Sequence, residues 1–273
     1  MKILLTGGSG FIGRHIHAAL IESGHEVVLA SRHNGINYNH MLKEEDWLKH
    51  LDNIDVVINS VGIITETHRQ SFSVLHTQAP GALFRACVTA GVERVVQISA
   101  LGADETAFTP YQLTKKAADD ALRSMPLAWF VLRPSLVYGE GGKSLALFKR
   151  LAMLPRIPVI EQGTQLIQPV HIDDLVESVV TCLSTEKTCR TIDVVGPSAM
   201  SMAEWLQRLR RLAGKQPANL ISMPLNSMLA FSNVARLCLP LMHPDNVRML
   251  IKGNTADVQP LTEWLGRKPH DLP

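Results

Sequence analysis

No stretch of this chain approaches the roughly 18 uninterrupted apolar residues that a bilayer-crossing helix requires. The opening "MKILLTGGSGFIG" carries one lysine before an apolar run, but glycines break the run within a few residues. It therefore reads as a first strand and not as a secretion signal. Charge of one sign is lacking too. Lysine plus arginine number 27 against 25 for aspartate plus glutamate, and they are scattered along the chain, which argues against nucleic acid as a partner. Cysteine is sparse: Cys87, Cys182, Cys189 and Cys238 show no CxxC pairing and no Cys/His ligand spacing. That excludes a zinc framework and suits thiols packed as small hydrophobes in a reducing compartment. Internal repeats and low-complexity segments are absent as well. A soluble, cytoplasmic protein without a structural metal is expected.

What is present is the composition of a packed globular chain, 46% hydrophobic and 19% charged. Its 273 residues allow a large core with a small second lobe. The segments "KILLT", "EVVLA", "DVVINSVG", "RVVQIS" and "AWFVLRP" are near-continuous apolar runs, the pattern of strands buried on both faces. Between them, "FIGRHIHAALIESG" and "APGALFRACVTAG" have helical length and end in a glycine suited to a C-terminal cap. Repeated βα units with right-handed crossovers predict an α/β fold with a Rossmann-type, doubly wound parallel sheet. A strand counted after "EVVLA" makes "DVVINSVG" the fourth and "RVVQIS" the fifth. Beyond about residue 135 the rhythm changes: "GEGGKS" reads as a flexible loop and "MSMAEWLQRLRRLAG" as an isolated amphipathic helix. The expected organisation is a core over residues 1–135, then a mixed region, 136–273. The latter completes the core at about 166–195 and forms a smaller, mostly helical substrate lobe.

The residues that carry chemistry fall at predicted strand ends. "TGGSGFIG" places Gly7, Gly10 and Gly13 after a strand and at the opening of a helix. Gly7 permits the tight turn, Gly10 lets backbone approach a pyrophosphate, and Gly13 allows close helix–strand packing. The helix start, with Phe11, Ile12 and Arg14, offers partly positive amides to phosphates. At the end of the second strand "VVLASRHNG" offers Ser31 and Arg32, where an NAD-preferring site usually has a carboxylate for the ribose 2′-hydroxyl. A guanidinium pairs with a 2′-phosphate and a serine hydroxyl donates to it, with Arg14 placed to assist. NADP(H) is therefore expected, and NAD(H) stays open as the second choice. "DVVINSVGII" sets Asn59, Ser60, Val61 and Gly62 at the strand edge where open parallel sheets bind ligands, and Pro134 closes "AWFVLRP" at the same edge. Ser99 ends "RVVQIS", and Tyr111 and Lys115 follow in "TPYQLTKKAADDAL", four apart and hence on one helical face. That spacing alone does not separate a proton-transfer pair from a chance polar edge.

A TGxxGxxG turn, a strand-end serine and a YxxxK helix together resemble the short-chain dehydrogenase/reductase superfamily. "LRPSLVYGEGG" and "QPVHIDDLVESVV" are similar to its extended, nucleotide-sugar epimerase side. "VVINSVGI", "QISALGAD" and "VRMLIKGN" resemble more closely the atypical branch that includes the NADPH-binding accessory subunit of respiratory complex I and its bacterial relatives. The resemblance implies that Tyr111 exchanges a proton with a substrate carbonyl or hydroxyl while hydride moves to or from nicotinamide. It further implies that Lys115 lowers the phenol's pKa and holds the nicotinamide ribose, and that Ser99 orients the substrate oxygen. Two features depart from the pattern. His76 stands near a position where extended epimerases usually have asparagine, and "NYNHMLKEE" lacks a recognisable acidic residue of the kind often found after the third strand. His76 reads as a packing residue, and His171 with Asp174 as fixing a helix start.

The segment "MPLNSMLAFSNVARLCLPLM" carries Leu225, Met228, Leu229, Phe231, Val234, Leu237 and Leu239 with Arg236 as its only charge. It suits a cap on the core, a cover for an apolar substrate such as a quinone or lipid, or a face against a membrane. The function expected is an NADP(H)-dependent oxidoreductase acting on a small, apolar carbonyl or hydroxyl compound. The alternatives are a non-catalytic NADPH-binding accessory or assembly protein, and a nucleotide-sugar epimerase or dehydratase, which Arg32 disfavours. A peripheral membrane or membrane-protein partner at the inner face of a membrane stays open. Substrate, direction of hydride transfer and oligomeric state are not legible.

Overall fold

Apolar strands with no polar edge to show water have to be covered on both sides, and the computed structural model, which describes residues 1–31, 34–236 and 239–271, shows how. The first half alternates: β1 (Lys2–Thr6), α1 (Phe11–Glu22), β2 (Glu26–Ala30), α2 (Glu44–Leu48), β3 (Val56–Asn59), α3 (Ala79–Ala90), β4 (Arg94–Ile98), α4 (Pro110–Arg123) and β5 (Ala128–Pro134). The second half continues with β6 (Val137–Tyr138), α5 (Lys143–Ala152), β7 (Arg156–Ile160), β8 (Leu166–Ile167), β9 (Val170–His171), α6 (Ile172–Ser184) and β10 (Arg190–Val194). It ends with β11 (Met200–Ser201), α7 (Met202–Leu212), β12 (Asn219–Met223), α8 (Leu225–Ala235), α9 (Pro244–Lys252) and α10 (Gln259–Leu265).

Six strands form one parallel sheet in the order β10–β5–β4–β3–β1–β2. Leu4, Val57, Val95 and Val131 face the α2–α4 layer, while Ile3, Ile58, Val96, Phe130 and Leu132 face α1, α6 and α10. Each such side chain, fully buried, stabilises the fold by about 1.5–3 kcal/mol. The chain direction reverses across β1 and β3, which opens a crevice at their C-terminal ends.

Three expectations need correcting. No strand lies between β2 and β3 among the described residues, so "DVVIN" is the third strand and "RVVQI" the fourth. The Asn37 side chain accepts from the Asn39 amide at 3.2 Å and closes a 3-10 turn at Tyr38–His40, which takes the chain into α2 instead. Second, α7 is not isolated. Ser201 and Glu204 form a capping box at its start, and Trp205, Leu206 and Leu209 are buried with Ile157 and Phe148 in the core of the small lobe. Third, α10 returns to the main core, with Leu261 fully buried and the Trp264 indole donating to the Ser178 carbonyl at 3.2 Å. Behind it, buried Asp174 accepts from the His270 amide at 2.9 Å and pairs with Arg267 at 2.9 Å. Asp174 thus ties residues 267–270 to α6, while His171 alone caps the helix by accepting from the Asp173 amide at 3.3 Å.

The loop at residues 139–142 is held, not loose. Phe11 packs beneath Gly139 and Gly142, and the Arg14 guanidinium donates to the Glu140 carbonyl at 3.1 Å. No helix among the described residues is long and apolar enough to cross a membrane.

Candidate dinucleotide and substrate site

The glycine turn is built by close backbone approach. Gly7 has φ of +72°, and a Cβ on it would stand 2.8 Å from the Ser60 backbone at the end of β3. A Cβ on Gly13 would lie 2.2 Å from the Gly7 carbonyl oxygen, so a glycine there is what lets α1 follow β1 so tightly. The Gly10 amide donates to the Gly7 carbonyl at 2.9 Å. No side chain caps α1 and no acidic residue sits in its first turn. Its free amides, at Phe11, Ile12 and Gly13, suit a phosphate-bearing ligand. A dinucleotide therefore fits this cradle: its pyrophosphate would rest on Gly10 to Gly13. Ser60 is not available to it in the same way, since its hydroxyl donates to the Thr6 carbonyl at 2.6 Å. Ser31 ends the β2 segment, its carbonyl accepting from the Asn34 and Ile36 amides at 3.0 Å. Arg32, the residue on which the 2′-phosphate expectation rests, lies outside the described residues.

Tyr111 and Lys115 come together as their spacing requires, on the face of α4 turned to the sheet. The Thr109 hydroxyl accepts from the Gln112 amide at 3.3 Å, and Pro110 occupies the first helical position, so the helix begins one residue before the tyrosine. Lys115 is buried, and its ammonium donates to the carbonyls of Ile98 at 2.9 Å and Val61 at 3.3 Å. Gly62 leaves it room: a Cβ there would be 3.2 Å from Nζ. Burial pulls the Lys115 pKa down to about 8, with the Asp119 charge opposing the fall.

A single π-helical turn, Ser73–Gln78, brings His76 beneath Tyr111. The Ile63 amide donates to His76 Nε2 at 3.0 Å, so the ring proton sits on Nδ1 and is offered to Thr114 Oγ1 at 3.2 Å. Burial and the Lys115 charge hold this imidazole neutral, its pKa down to about 2. His76 stacks on Phe72 at 5.2 Å, and Tyr111 meets both rings edge-on at 5.5 and 5.9 Å. The histidine is a support for the tyrosine ring.

One implied role does not match the geometry. Ser99 is buried and donates its hydroxyl to Asp119. Asp119 lies eight residues beyond Tyr111 on α4, about 12 Å along the axis. Ser99 is not among the described residues that line the cavity with Tyr111, since its hydroxyl is taken by Asp119. Without a cofactor, burial, with the Asp119 charge, pushes the Tyr111 pKa up to about 12. Asp119 itself, pushed up to about 6 by burial, is the residue that sequence reading missed. Its position four residues after Lys115 was the available signal.

Tyr111 and Pro134 line a cavity of about 490 Å³ between the sheet edge and the small lobe, with Ala100, Leu101 and Gly102 on the sheet side. Leu147 and Phe148 of α5, Leu206 of α7, Met228 of α8, and Met249 and Leu250 of α9 make it largely apolar. The apolar α8 segment therefore serves in part as a pocket wall through Met228, while Phe231 and Val234 stay exposed. Leu237 lies outside the described residues.

A parallel sheet with a glycine-turn cradle at its crossover and a tyrosine–lysine helix beside it defines a Rossmann-type protein of the short-chain dehydrogenase/reductase kind. The model of the NAD dependent epimerase/dehydratase family matches residues 3–195, and the chain belongs to that family. It is 27% identical over 195 residues to the ceramide reductase of Caulobacter vibrioides, an alignment covering 67% of this chain and 61% of that protein. It is 24% identical over 210 residues to the mitochondrial NADH dehydrogenase [ubiquinone] 1 alpha subcomplex subunit 9 of Mus musculus, covering 70% of this chain and 56% of that protein. The chain thus spans about three fifths of the length of these relatives. Among solved structures, MoeE5 in complex with UDP-glucuronic acid and NAD superposes with a TM-score of 0.72 at 25% identity, covering 99% of this chain and 94% of that one.

Proposed function

We propose that this chain is a reductase that uses NADP(H) to deliver hydride to the carbonyl carbon of an apolar substrate, with Tyr111 supplying the proton. The carrying observation is that Tyr111, one helical turn from the buried Lys115, lines a largely apolar cavity of about 490 Å³. Protonated at neutral pH, the phenol can donate to a carbonyl oxygen that gains negative charge. The nicotinamide supplies the hydride when bound. Lys115, fixed on two carbonyls, holds a cation at the floor of the nicotinamide ribose site, and Gly7 to Gly13 take the pyrophosphate. Ser31 and Arg32 support NADP(H) over NAD(H) through the 2′-phosphate.

The cavity lining supports a lipid-like or quinone-like substrate over a nucleotide sugar. Its one cation among the described residues is Lys252, whose ammonium is taken by Thr106, at 2.7 Å from Oγ1. A sugar diphosphate carries two negative charges and would find this single lysine there. Likeness to a ceramide reductase points the same way. A second reading, a nucleotide-binding accessory protein without turnover, draws on the Ser99 hydroxyl being taken by Asp119 and on likeness to the complex I subunit.

The test is NADPH oxidation followed by absorbance against a panel of long-chain ketones, quinones and UDP-sugars, with Tyr111→Phe as control. Turnover of an apolar carbonyl, lost by about 10²-fold or more in Tyr111→Phe while NADPH affinity is retained, is the expected result. Tight NADPH binding with no turnover of any panel member would favour the accessory reading.

A further inference from the structure

Asp119 is fully buried between α4 and the sheet, with Ala118 and Leu122 beside it in an apolar layer. One carboxylate oxygen, Oδ2, accepts from Ser99, and the other, Oδ1, has no partner. Gln97 shares this layer, because alternate residues of a strand project to one face and Val95, Gln97 and Ser99 alternate on β4. Its orientation is set by a buried polar network. Thr6 and Tyr38 hydroxyls donate to Asn59 Oδ1 at 2.6 and 2.7 Å, so Asn59 Nδ2 donates to Gln97 Oε1 at 2.7 Å. That leaves Gln97 Nε2, also buried, as a donor without an acceptor. One orphaned donor and one orphaned acceptor in the same layer are complementary, and each is costly to leave dry.

Other cations near Asp119 are already engaged. Arg133 on β5 pairs with Asp193 at 2.6 Å, and Arg123 on α4 pairs with Asp120 at 2.8 Å. His76, which faces Lys115 from the π-helical turn, is neutral and bonded to Ile63. Lys115 is thus the buried cation that answers the buried carboxylate.

Resting on the reading of Lys115 as the cofactor-side cation, we propose that Asp119 is a positioning residue that keeps Lys115 charged, and that a buried water bridging Asp119 Oδ1 to Gln97 Nε2 keeps Asp119 itself ionised. Ser99 then belongs to this assembly, donating to the carboxylate behind the lysine instead of to substrate. The opposed directions of the two shifts, Lys115 down to about 8 and Asp119 up to about 6, leave a window around neutral pH in which both are charged. Outside it the lysine or the carboxylate loses its charge.

The test is a pH titration of Lys115 by NMR of the ¹³Cε-labelled, cofactor-free protein, with the resonance assigned by Lys115→Arg. Asp119→Asn should move the Lys115 midpoint to lower pH by about one unit or more; an unmoved midpoint overturns the proposal. In the native protein, which needs no variant to fold, the Asp119 carboxyl ¹³C shift should show a second inflection at the lysine's midpoint, and a single step overturns the coupling. Gln97→Leu should raise the Asp119 midpoint, and no change there removes the bridging water. These readings need neither cofactor nor turnover, so a protein that failed to bind NADPH would sink the proposed function and leave this pair standing.

Discussion

Replacing Lys115 by methionine turns the burial of its ammonium into a measurable dependence of stability on pH. The side chain is 3% exposed, and burial lowers its pKa from 10.5 to about 8. At about 1.4 kcal/mol per pKa unit, the charged form costs the native state about 3 kcal/mol relative to the unfolded chain. The sign follows from which state holds the proton. Below about pH 8 both states are protonated and the cost is fully present; between about 8 and 10.5 the native state releases its proton while the unfolded chain keeps one. Unfolded chains then bind more protons, so stability rises with pH, and above 10.5 the cost is gone. The native protein minus Lys115→Met difference in urea-unfolding free energy should therefore climb by about 3 kcal/mol across this window, with a slope near ~1.4 kcal/mol per pH unit at its centre. Work above pH 8 also stays clear of the Asp119 step, which lies at about 6 in the native protein. The comparison cancels the raised Tyr38, Tyr111 and Cys87 groups, which titrate in both proteins. A difference flat from pH 8 to 10.5 would mean that Lys115 is not desolvated as its two carbonyl partners and closed surroundings require.

Arg32→Asp should lower the preference for NADPH over NADH by about tenfold or more, the equivalent of one charge-assisted hydrogen bond. Calorimetric titration with both nucleotides reads it, and unchanged relative affinities would remove the 2′-phosphate assignment. Asp174→Ala should cost about 3 kcal/mol, since it strips buried partners from Arg267 and the His270 amide. Hydrogen exchange should then speed up over residues 259–270 well before the sheet opens. Protection unchanged there would show that α10 holds by its apolar contacts alone.

The sheet was legible because parallel strands covered on both faces must be written as unbroken apolar runs, and five of its six strands are such runs. The extra strand counted after β2 had no such run behind it; polar, turn-forming residues from Asn37 onward made a 3-10 turn. The glycine cradle and the Tyr111–Lys115 pair were legible for a related reason: each is local, set by spacing within one turn or one helix. Apolar residues of α10 did not announce which lobe they would join, because hydrophobicity specifies burial and not a partner.

What was not legible depends on which way a side chain points once its neighbours are in place. Ser99 looked like a substrate contact because it ends a strand near Tyr111 in sequence. On β4, however, it shares a face with Val95 and Gln97, and that face lies under the second half of α4, where Asp119 meets it. Tyr111 and Lys115 likewise part on α4. Lys115 is drawn down to the carbonyls at the ends of β3 and β4, and Tyr111 rests on the ring of His76 at the mouth of the cavity. The helix therefore sets the two residues at two levels, Tyr111 at the cavity and Lys115 against the strand ends.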